Sequence, residues 1–290
     1  MATNKRANLL KEALFSILNQ SFTNFECIVV DDANDEETKK IVDNLSITDS
    51  RFRYLKRPDT FRKGLSGCRN FALQCTTAKY IHFVDDDDLL HPQFLELKHH
   101  AAEQSNADYV VSPLLNFRNN PPLSSIVELV TSTYKVDWQE FVMDKTGIFS
   151  CSVLWNVRCL IGFRFDEDLT VSEDWDLYRK LFSNFTNGVY LNTPLYFRRL
   201  HSQTNSEQLR LNNSEYRKSY LKVRERAVND FIEKDELTVK LATFFLKLSY
   251  KYNYPAIYKA INIWSRNRAD WGMHEKLEVL KYRFYLLLRK

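Results

Sequence analysis

Leu9, Leu10, Ala13, Leu14, Ile17 and Leu18 recur every three or four positions, the period of one helix face, and Asn8 stands where a cap would. After the polar turn SFTNF, the stretch ECIVVDD is a short β-branched apolar run ending in two Asp, a buried strand of the parallel type. DEETKKIVDNL predicts a helix with acids in its first turn, FRYLKRP a strand, LSGCRNFALQCTT a helix and YIHFVD another strand. Pro92 suits the first turn of a helix over PQFLELKHHAAEQ, and ADYVVSPLLNF predicts one further strand. A loop around NPP, residues 119–125, follows; FSCSVLW and GVYLNTPLYFRRL are later strands flanking a helix that starts near Ser172. Strand and helix alternate, which predicts an α/β fold, a mostly parallel sheet with helices on both faces.

From about Glu207 the pattern changes. LTVKLATFFLKLSYKY and HEKLEVLKYRFYLLLRK have helical period with no strand between them, so a boundary is expected near 205, giving domains 1–205 and 206–290. The length of 290 residues suits one large α/β domain with a smaller appendage, and 6 Gly and 7 Pro leave no low-complexity tract. A net charge of +4 is too mild to imply a nucleic-acid partner, and none is expected. That charge is uneven: residues 207–290 carry +8 and the rest −4, as suits a protein that handles a metal-bound ligand beside an anionic surface, or simply a solvated basic helix face. Five cysteines, odd in number and never spaced CxxC, predict reduced buried thiols in a cytoplasmic protein. No apolar run reaches 18 residues.

The chemistry concentrates at YIHFVDDDDLLHP, where Asp85, Asp86, Asp87 and Asp88 crowd one point. Adjacent like charges repel unless something positive offsets them. Ligands of open parallel sheets bind at the carboxyl ends of strands, and two predicted strands end there in acid, Asp31-Asp32 and Asp85–Asp88. A divalent cation carrying a diphosphate supplies the missing charge, because Mg²⁺ and Mn²⁺ accept a few carboxylate oxygens and fill up with water and phosphate. Two other readings fit the run alone: a solvated helix cap, and the DxD of haloacid-dehalogenase-like phosphatases, with Asp85 as nucleophile.

A wider match narrows the choice. KGLSGCRNFALQCTTAKYIHFVDDDDLLHP resembles the glycosyltransferase family 2 pattern NxGxxxARNxGxxxAxGeYixFlDxDDxxxP, with Gly64, Arg69, Asn70, Tyr80, Phe83, Asp85, Asp87, Asp88 and Pro92 in register. FRFDEDLTVSEDWDLYRKL is similar to the family's FDExLxxxEDwdLwlrl, and YFRRLHSQTNS resembles its YRxHxxSxS. With FECIVVDD, the likeness covers residues 3–206.

The resemblance implies a GT-A fold and inverting transfer of a sugar, a hexose, from a nucleotide diphosphate, uridine being the family's commonest base. Carried over, Thr3, Asp31, Asp32, Arg69, Asp85, Asp86, Glu173 and Arg199 surround the nucleotide-sugar, with Asp32 on the nucleoside, Asp85 on the ribose side and Arg199 or Arg198 on phosphate. Asp87 and His201 hold Mn²⁺ or Mg²⁺, and Asp174 is the general base that takes the acceptor proton. Ser172 is placed to cap the helix that follows, whose dipole keeps a first-turn carboxylate ionised. The acceptor is expected to be a glycan or a lipid-linked glycan of bacterial surface polysaccharide synthesis. The basic, aromatic tail, with Lys247, Tyr250, Lys251 and Trp264, suits peripheral contact with the inner face of a membrane, a cap on the catalytic domain or a dimer contact. Trp155 and Trp175 are expected in the core, and His82, His99 and His100 to be structural.

One departure stands out. The family opens with a strand of the type VSVIIPTYNR, and MATNKR corresponds to its last residues, with Asn4 and Lys5 replacing the aromatic and Asn. The first, interior strand is therefore expected to be absent, leaving ladder groups on both flanks to be satisfied. A truncated or mis-started chain is the favoured reason, ahead of a sheet that closes up or a chain that folds poorly. A non-catalytic descendant that only binds the donor is the alternative function.

Overall fold

The computed structural model describes residues 1–119, 121, 130–201, 214–268, 272, 276–277 and 279–282. The chain divides into two compact units, Met1–Glu207 and Gln208–Lys290.

The first unit is a mixed α/β structure. Its elements run β1 (Ala2–Thr3), α1 (Ala7–Leu18), β2 (Cys27–Asp31), α2 (Glu36–Thr48), β3 (Phe52–Lys56), α3 (Leu65–Cys75), β4 (Tyr80–His82), β5 (Leu89–Leu90), α4 (Phe94–Ser105), β6 (Tyr109–Val111) and β7 (Leu114–Phe117). Then come β8 (Thr131–Tyr134), α5 (Trp138–Val142), β9 (Val153–Asn156), α6 (Glu173–Asn184), β10 (Gly188–Leu191) and β11 (Tyr196–Arg199). β1, β2 and β3 are parallel neighbours; a second ladder has the order β4-β9-β6-β10-β8, and a third β5-β11-β7. A bridge from Ala2 to Asp85 joins the first ladder to the continuation of β4.

β2 shows why the sheet is covered on both faces. All five residues of CIVVD are buried. Cys27 and Val29 pack with Leu10, Leu14 and Ile17 of α1, Val42 of α2 and Phe94 of α4, whereas Ile28 and Val30 pack with Cys68 of α3. Alternate side chains thus point to opposite helical layers, which a strand buried on both sides requires.

Several boundaries differ from the sequence expectation. ADYVVSPLLNF is two strands, divided before Pro113, whose nitrogen has no proton for a ladder; GVYLNTPLYFRRL divides likewise around Pro194. The FSCSVLW stretch begins as a short 3-10 turn, and β9 then runs antiparallel between β4 and β6. Arg6, not Asn8, precedes α1, and Pro92 lies just before α4 rather than in its first turn. The NPP loop lies mostly outside the described residues.

An N-terminal strand is present, though only two residues long. Ala2 and Thr3 pair with Val30 and Asp31, the Val30 N–H donates to Met1 O at 2.8 Å, and the Asp32 N–H donates to Thr3 O at 3.0 Å. Beyond Met1, whose amine donates to Ile28 O at 2.8 Å, a cavity of about 490 Å³ continues between β2 and β4, lined by Cys27, Ile28, Tyr80, Ile81 and His82 among others. The expectation of an absent first strand is therefore corrected: residues 1–3 pair with β2, and Ala2 bridges to Asp85 of the acidic run.

The second unit holds α7 (Ser214–Glu233), α8 (Val239–Tyr252) and α9 (Pro255–Arg266). Leu221, Val228, Phe231, Leu241, Phe245, Ile257 and Ile261 form its buried stripes. Asn253 closes α8 in the left-handed conformation, and Pro255 starts α9. Of HEKLEVLKYRFYLLLRK, most lies outside the described residues.

Candidate active site

Three stretches distant in sequence meet at the end of β4. The first is the acidic run itself, and each of its carboxylates has partners from the chain. Asp85 Oδ1 accepts from Arg69 Nη2 at 2.9 Å. Asp86 accepts from Thr3 Oγ1 at 2.7 Å and from Arg6 Nη1 at 3.2 Å. Asp87 Oδ2 meets both Arg6 Nη1 and His201 Nε2, each at 2.9 Å. Asp88 Oδ1 accepts the backbone N–H of Arg199 at 2.7 Å. Arg6 and Arg69 thus set positive charge against Asp85, Asp86 and Asp87.

Burial completes the accommodation. It pushes the Asp86 carboxyl up to about 6, and that of Asp88, pressed further by Asp85 and Asp87, to about 8. Burial and the neighbouring acids thus favour the neutral form of Asp88. Burial likewise raises Asp85, against the pull of Arg69, although a third of its side chain stays open.

The second stretch enters through α3. Arg69, 5% exposed, reaches Glu173 Oε1 with Nη1 at 3.2 Å while Nη2 holds Asp85. Burial works against its charge, but Asp85, Glu173 and Asp174 outweigh that and hold its pKa up. The neighbouring Asn70 donates to Phe165 O at 2.9 Å and Glu167 Oε1 at 2.8 Å, and accepts from the Phe165 N–H at 3.0 Å. Arg-Asn is therefore the clasp by which the first motif grips FDE and ED of the second. Glu173 is buried, its carboxyl raised to about 7 by burial and by Asp174. Asp174 is half-buried at the start of α6 and accepts from the Trp175 N–H at 2.7 Å. Ser172 occupies the cap position in a left-handed conformation (φ 64°) without a side-chain cap bond, contrary to expectation.

The third stretch is β11, parallel to β7 and antiparallel to β5. Its end runs beside the acids, so Arg199 Nε donates to Asp87 O at 2.9 Å and His201 arrives at Asp87. Tyr196 Oη accepts the Asp85 N–H at 3.2 Å from below.

Asp31 and Asp32 lie at the end of β2. Asp31 is 1% exposed and accepts from the N–H groups of Ala33 and Asp35 and from Tyr54 Oη at 2.9, 2.6 and 2.9 Å. Asp32 accepts from Arg57 Nε at 2.7 Å and the Gly64 N–H at 3.0 Å, fixing the turn ahead of α3. In this arrangement both serve the loops around the site. Trp155, fully buried against Tyr109, Tyr178 and Phe182, is core; His82 donates through one ring nitrogen to Val153 O at 3.0 Å, with its pKa driven down by burial.

Asp87 and His201 fit a divalent ion. Their donor atoms stand 2.9 Å apart, and neighbouring ligands on a six-coordinate ion stand roughly 3 Å apart. Asp85, Asp88 and Cys151 also bring donor atoms within 4.8 Å of one another, but the Cys151 sulfur is a soft donor and does not suit a hard cation. Arg6, Asn70, Arg57 and Tyr196 were not singled out as site residues from sequence. Asn70 stood in the motif; Arg6 and Arg57 lie beside matched acids only in space.

The family model for glycosyl transferase family 2 matches residues 1–152. The chain is 26% identical, over 89% of its length and 84% of the other's, to a Campylobacter jejuni protein named GalNAc(5)-diNAcBac-PP-undecaprenol beta-1,3-glucosyltransferase. It is 27% identical to Glycosyltransferase GlyA of Streptococcus pneumoniae, over 67% of this chain but only 29% of that one. Among solved structures it resembles S. aureus TarS 1-349 in complex with UDP-GlcNAc (TM-score 0.65, 16% identity, 97% of this chain and 77% of that one). It also resembles the Pyrobaculum calidifontis mannosyltransferase PcManGT in complex with GDP-Man and Mn²⁺ (TM-score 0.58, 15% identity, 99% and 83%). The fold is that of the GT-A glycosyltransferases, and the chain belongs to glycosyl transferase family 2.

Proposed function

We propose that the chain transfers a hexose, with inversion, from a UDP-sugar to a hydroxyl of a glycan or lipid-linked glycan in bacterial surface polysaccharide synthesis. The observation that carries this reading is the convergence of the three motifs: Arg69 joins Asp85 to Glu173, and Asp87 meets His201. The activity for which the C. jejuni relative is named and the UDP-GlcNAc bound to the TarS structure support the acceptor and donor classes.

Asp174 is the base. Its carboxylate removes the acceptor hydroxyl proton as that oxygen's lone pair attacks the anomeric carbon, and the C1–O bond to the diphosphate breaks with its electron pair leaving on phosphate. Glu173, tied to Arg69, holds the first turn of α6 so that Asp174 is presented beside the acidic run. Thr3, Asp31, Asp32, Asp85 and Asp86 shape the nucleotide pocket, and Arg199 steadies the diphosphate. Asp87 and His201 hold Mn²⁺ or Mg²⁺, which when bound neutralises charge on the departing diphosphate. Residues 1–205 form the catalytic domain and 206–290 a helical extension. No helix among the described residues is long and apolar enough to cross a membrane, and peripheral attachment to the cytoplasmic face through the basic, aromatic helices accounts for access to a lipid-linked acceptor.

Nucleoside diphosphate release from a panel of sugar donors, with and without Mn²⁺, tests the reaction. Asp174→Asn is expected to keep donor affinity and lose turnover by about 10²–10⁴-fold; normal turnover would remove Asp174 as the base. Asp87→Asn is expected to lose cation-dependent donor binding.

A further inference from the structure

We propose that Tyr196 is a positioning residue of the cation site: its buried hydroxyl joins the two ends of the acidic turn and fixes that turn against β11, so that Asp87 is held facing His201. This rests on the reading of Asp87 and His201 as the cation's ligands.

The acidic run is a turn between β4 and β5, closed at its base by the Asp88 N–H, which donates to Asp85 O at 3.4 Å. β5 pairs antiparallel with β11, Leu90 opposite Tyr196 and Leu89 opposite Phe197. The turn and the strand leading to His201 therefore lie side by side. Although its backbone stands opposite Leu90, Tyr196 reaches across the base of the turn, where Oη accepts the Asp85 N–H at 3.2 Å. Its own proton goes to the Asp88 carboxyl. A hydroxyl can serve as donor and acceptor at once.

Asp88 carries the connection onward. Its Oδ1 accepts the Arg199 N–H at 2.7 Å, and Arg199 Nε donates to Asp87 O at 2.9 Å. One connected set of bonds thus runs from both ends of the turn to Arg199, two positions before His201. With the two backbones fixed in this way, Asp87 Oδ2 and His201 Nε2 arrive 2.9 Å apart. Tyr196 is fully buried, so it touches no ligand and acts through the acids beside it. Its ring packs against His82 and Phe94, with centroids 5.9 and 6.2 Å away, which holds the hydroxyl in place. An apolar ring would fill the same space; the hydroxyl is the part that packing does not require. Partners that orient a metal's ligands from behind set its affinity by about 10–100-fold.

The test is a Mn²⁺ titration of the full chain by electron paramagnetic resonance in the presence of UDP, with a melting curve for each variant. Tyr196→Phe keeps the ring, loses the hydroxyl and is expected to bind Mn²⁺ about tenfold more weakly than the parent. The Mn²⁺ concentration for half-maximal turnover should rise by the same factor, and by more than the maximal rate falls. Phe94→Leu loosens the same ring without touching the hydroxyl; it should lower the melting temperature and leave Mn²⁺ affinity unchanged. Asp88→Ala cuts the connection at its other end, should weaken Mn²⁺ at least as much, and decides the matter if Tyr196→Phe does not fold. A Tyr196→Phe chain that melts earlier but binds Mn²⁺ like the parent would leave the hydroxyl a structural contact and overturn the proposal. Equal losses of affinity in Tyr196→Phe and Phe94→Leu would also overturn it, as general loosening of the core. If the parent binds no Mn²⁺, or Asp87→Asn binds it as well as the parent, the cation-site reading itself fails and the proposal with it.

Discussion

Replacing Arg69 by Met removes the clasp between the acidic run and α6 while keeping most of the buried volume. Two carboxylates lose their partner, Asp85 at 2.9 Å and Glu173 at 3.2 Å. Removing one member of a buried ion pair costs about 3–5 kcal/mol, since the other charge stays behind unpaired. Two features of the site place the loss at the lower end, about 3 kcal/mol at pH 7. Asp85 keeps a third of its side chain in water, and Glu173, already raised to about 7, escapes by taking a proton. A raised carboxyl contributes stability that is fully present below its unfolded value of 4.5 and is lost as pH rises through the folded value. Without Arg69 the folded value climbs further. Above pH 7 the variant therefore keeps losing stability after the parent has levelled off, by up to about 1.4 kcal/mol per pH unit. Urea denaturation of parent, Arg69→Met, Glu173→Gln and the double variant at pH 6 and 8 measures this as a cycle. Glu173→Gln should recover about 1–2 kcal/mol of the Arg69→Met loss at pH 8, because the stranded charge is removed. A loss under about 1 kcal/mol at pH 8, or no recovery in the double variant, would refute the clasp.

Three further outcomes follow from single positions. A Cβ at Gly67 would overlap the carbonyl oxygen of Arg62 and lie 3.0 Å from its carbon, so Gly67→Ala must displace the turn that carries Gly64 to Asp32; a loss of about 2–4 kcal/mol is expected, and an unchanged melting temperature would contradict it. Lys98 is fully buried with its amine near the carbonyls of Ser152 and Val110, and burial pushes its pKa from 10.5 down to about 7. Between those values the unfolded chain binds the extra proton, so this residue makes stability rise with pH by at most about 1.4 kcal/mol per unit, and Lys98→Met should flatten that slope between pH 7.5 and 9.5; parallel parent and variant curves would refute it. Because each acid of the run already has a partner within the chain, exhaustive chelation should leave the melting temperature within about 2 °C while abolishing donor binding, and a collapse of the fold in chelator would show that the ion is structural.

Much of the fold was legible because its signals are local. CIVVD announces a strand buried on both faces, and Leu10, Leu14 and Ile17 announce the helix face that covers it. The breaks at Pro113 and Pro194 were legible too, had the missing amide proton been weighed against the apolar pattern around it. The direction of β9 was not, since a strand's own residues do not say that its partners will be Tyr80–His82 and Tyr109–Val111. The site divides the same way. Motif spacing marked Arg69, Asp85, Asp87, Glu173, Asp174 and His201, and the structure gathers them. It did not mark Arg6, 80 and 81 positions away from Asp86 and Asp87, because an ion pair across that distance leaves no periodic trace.

The acidic run was legible in the sequence as crowded like charge, but its partners within the chain were not. Four adjacent carboxylates need offsetting charge, and a divalent ion was the economical answer from sequence. Whatever ion binds there, the folded chain also sets its own partners at each position: Arg69 at Asp85, Thr3 and Arg6 at Asp86, Arg6 and His201 at Asp87, and the Arg199 N–H at Asp88, whose carboxyl burial raises. Stability and cation binding are thereby separated. A site whose acids were held together only by the ion would come apart each time the diphosphate carried the ion away. A site whose acids also have side-chain partners of their own persists through that departure.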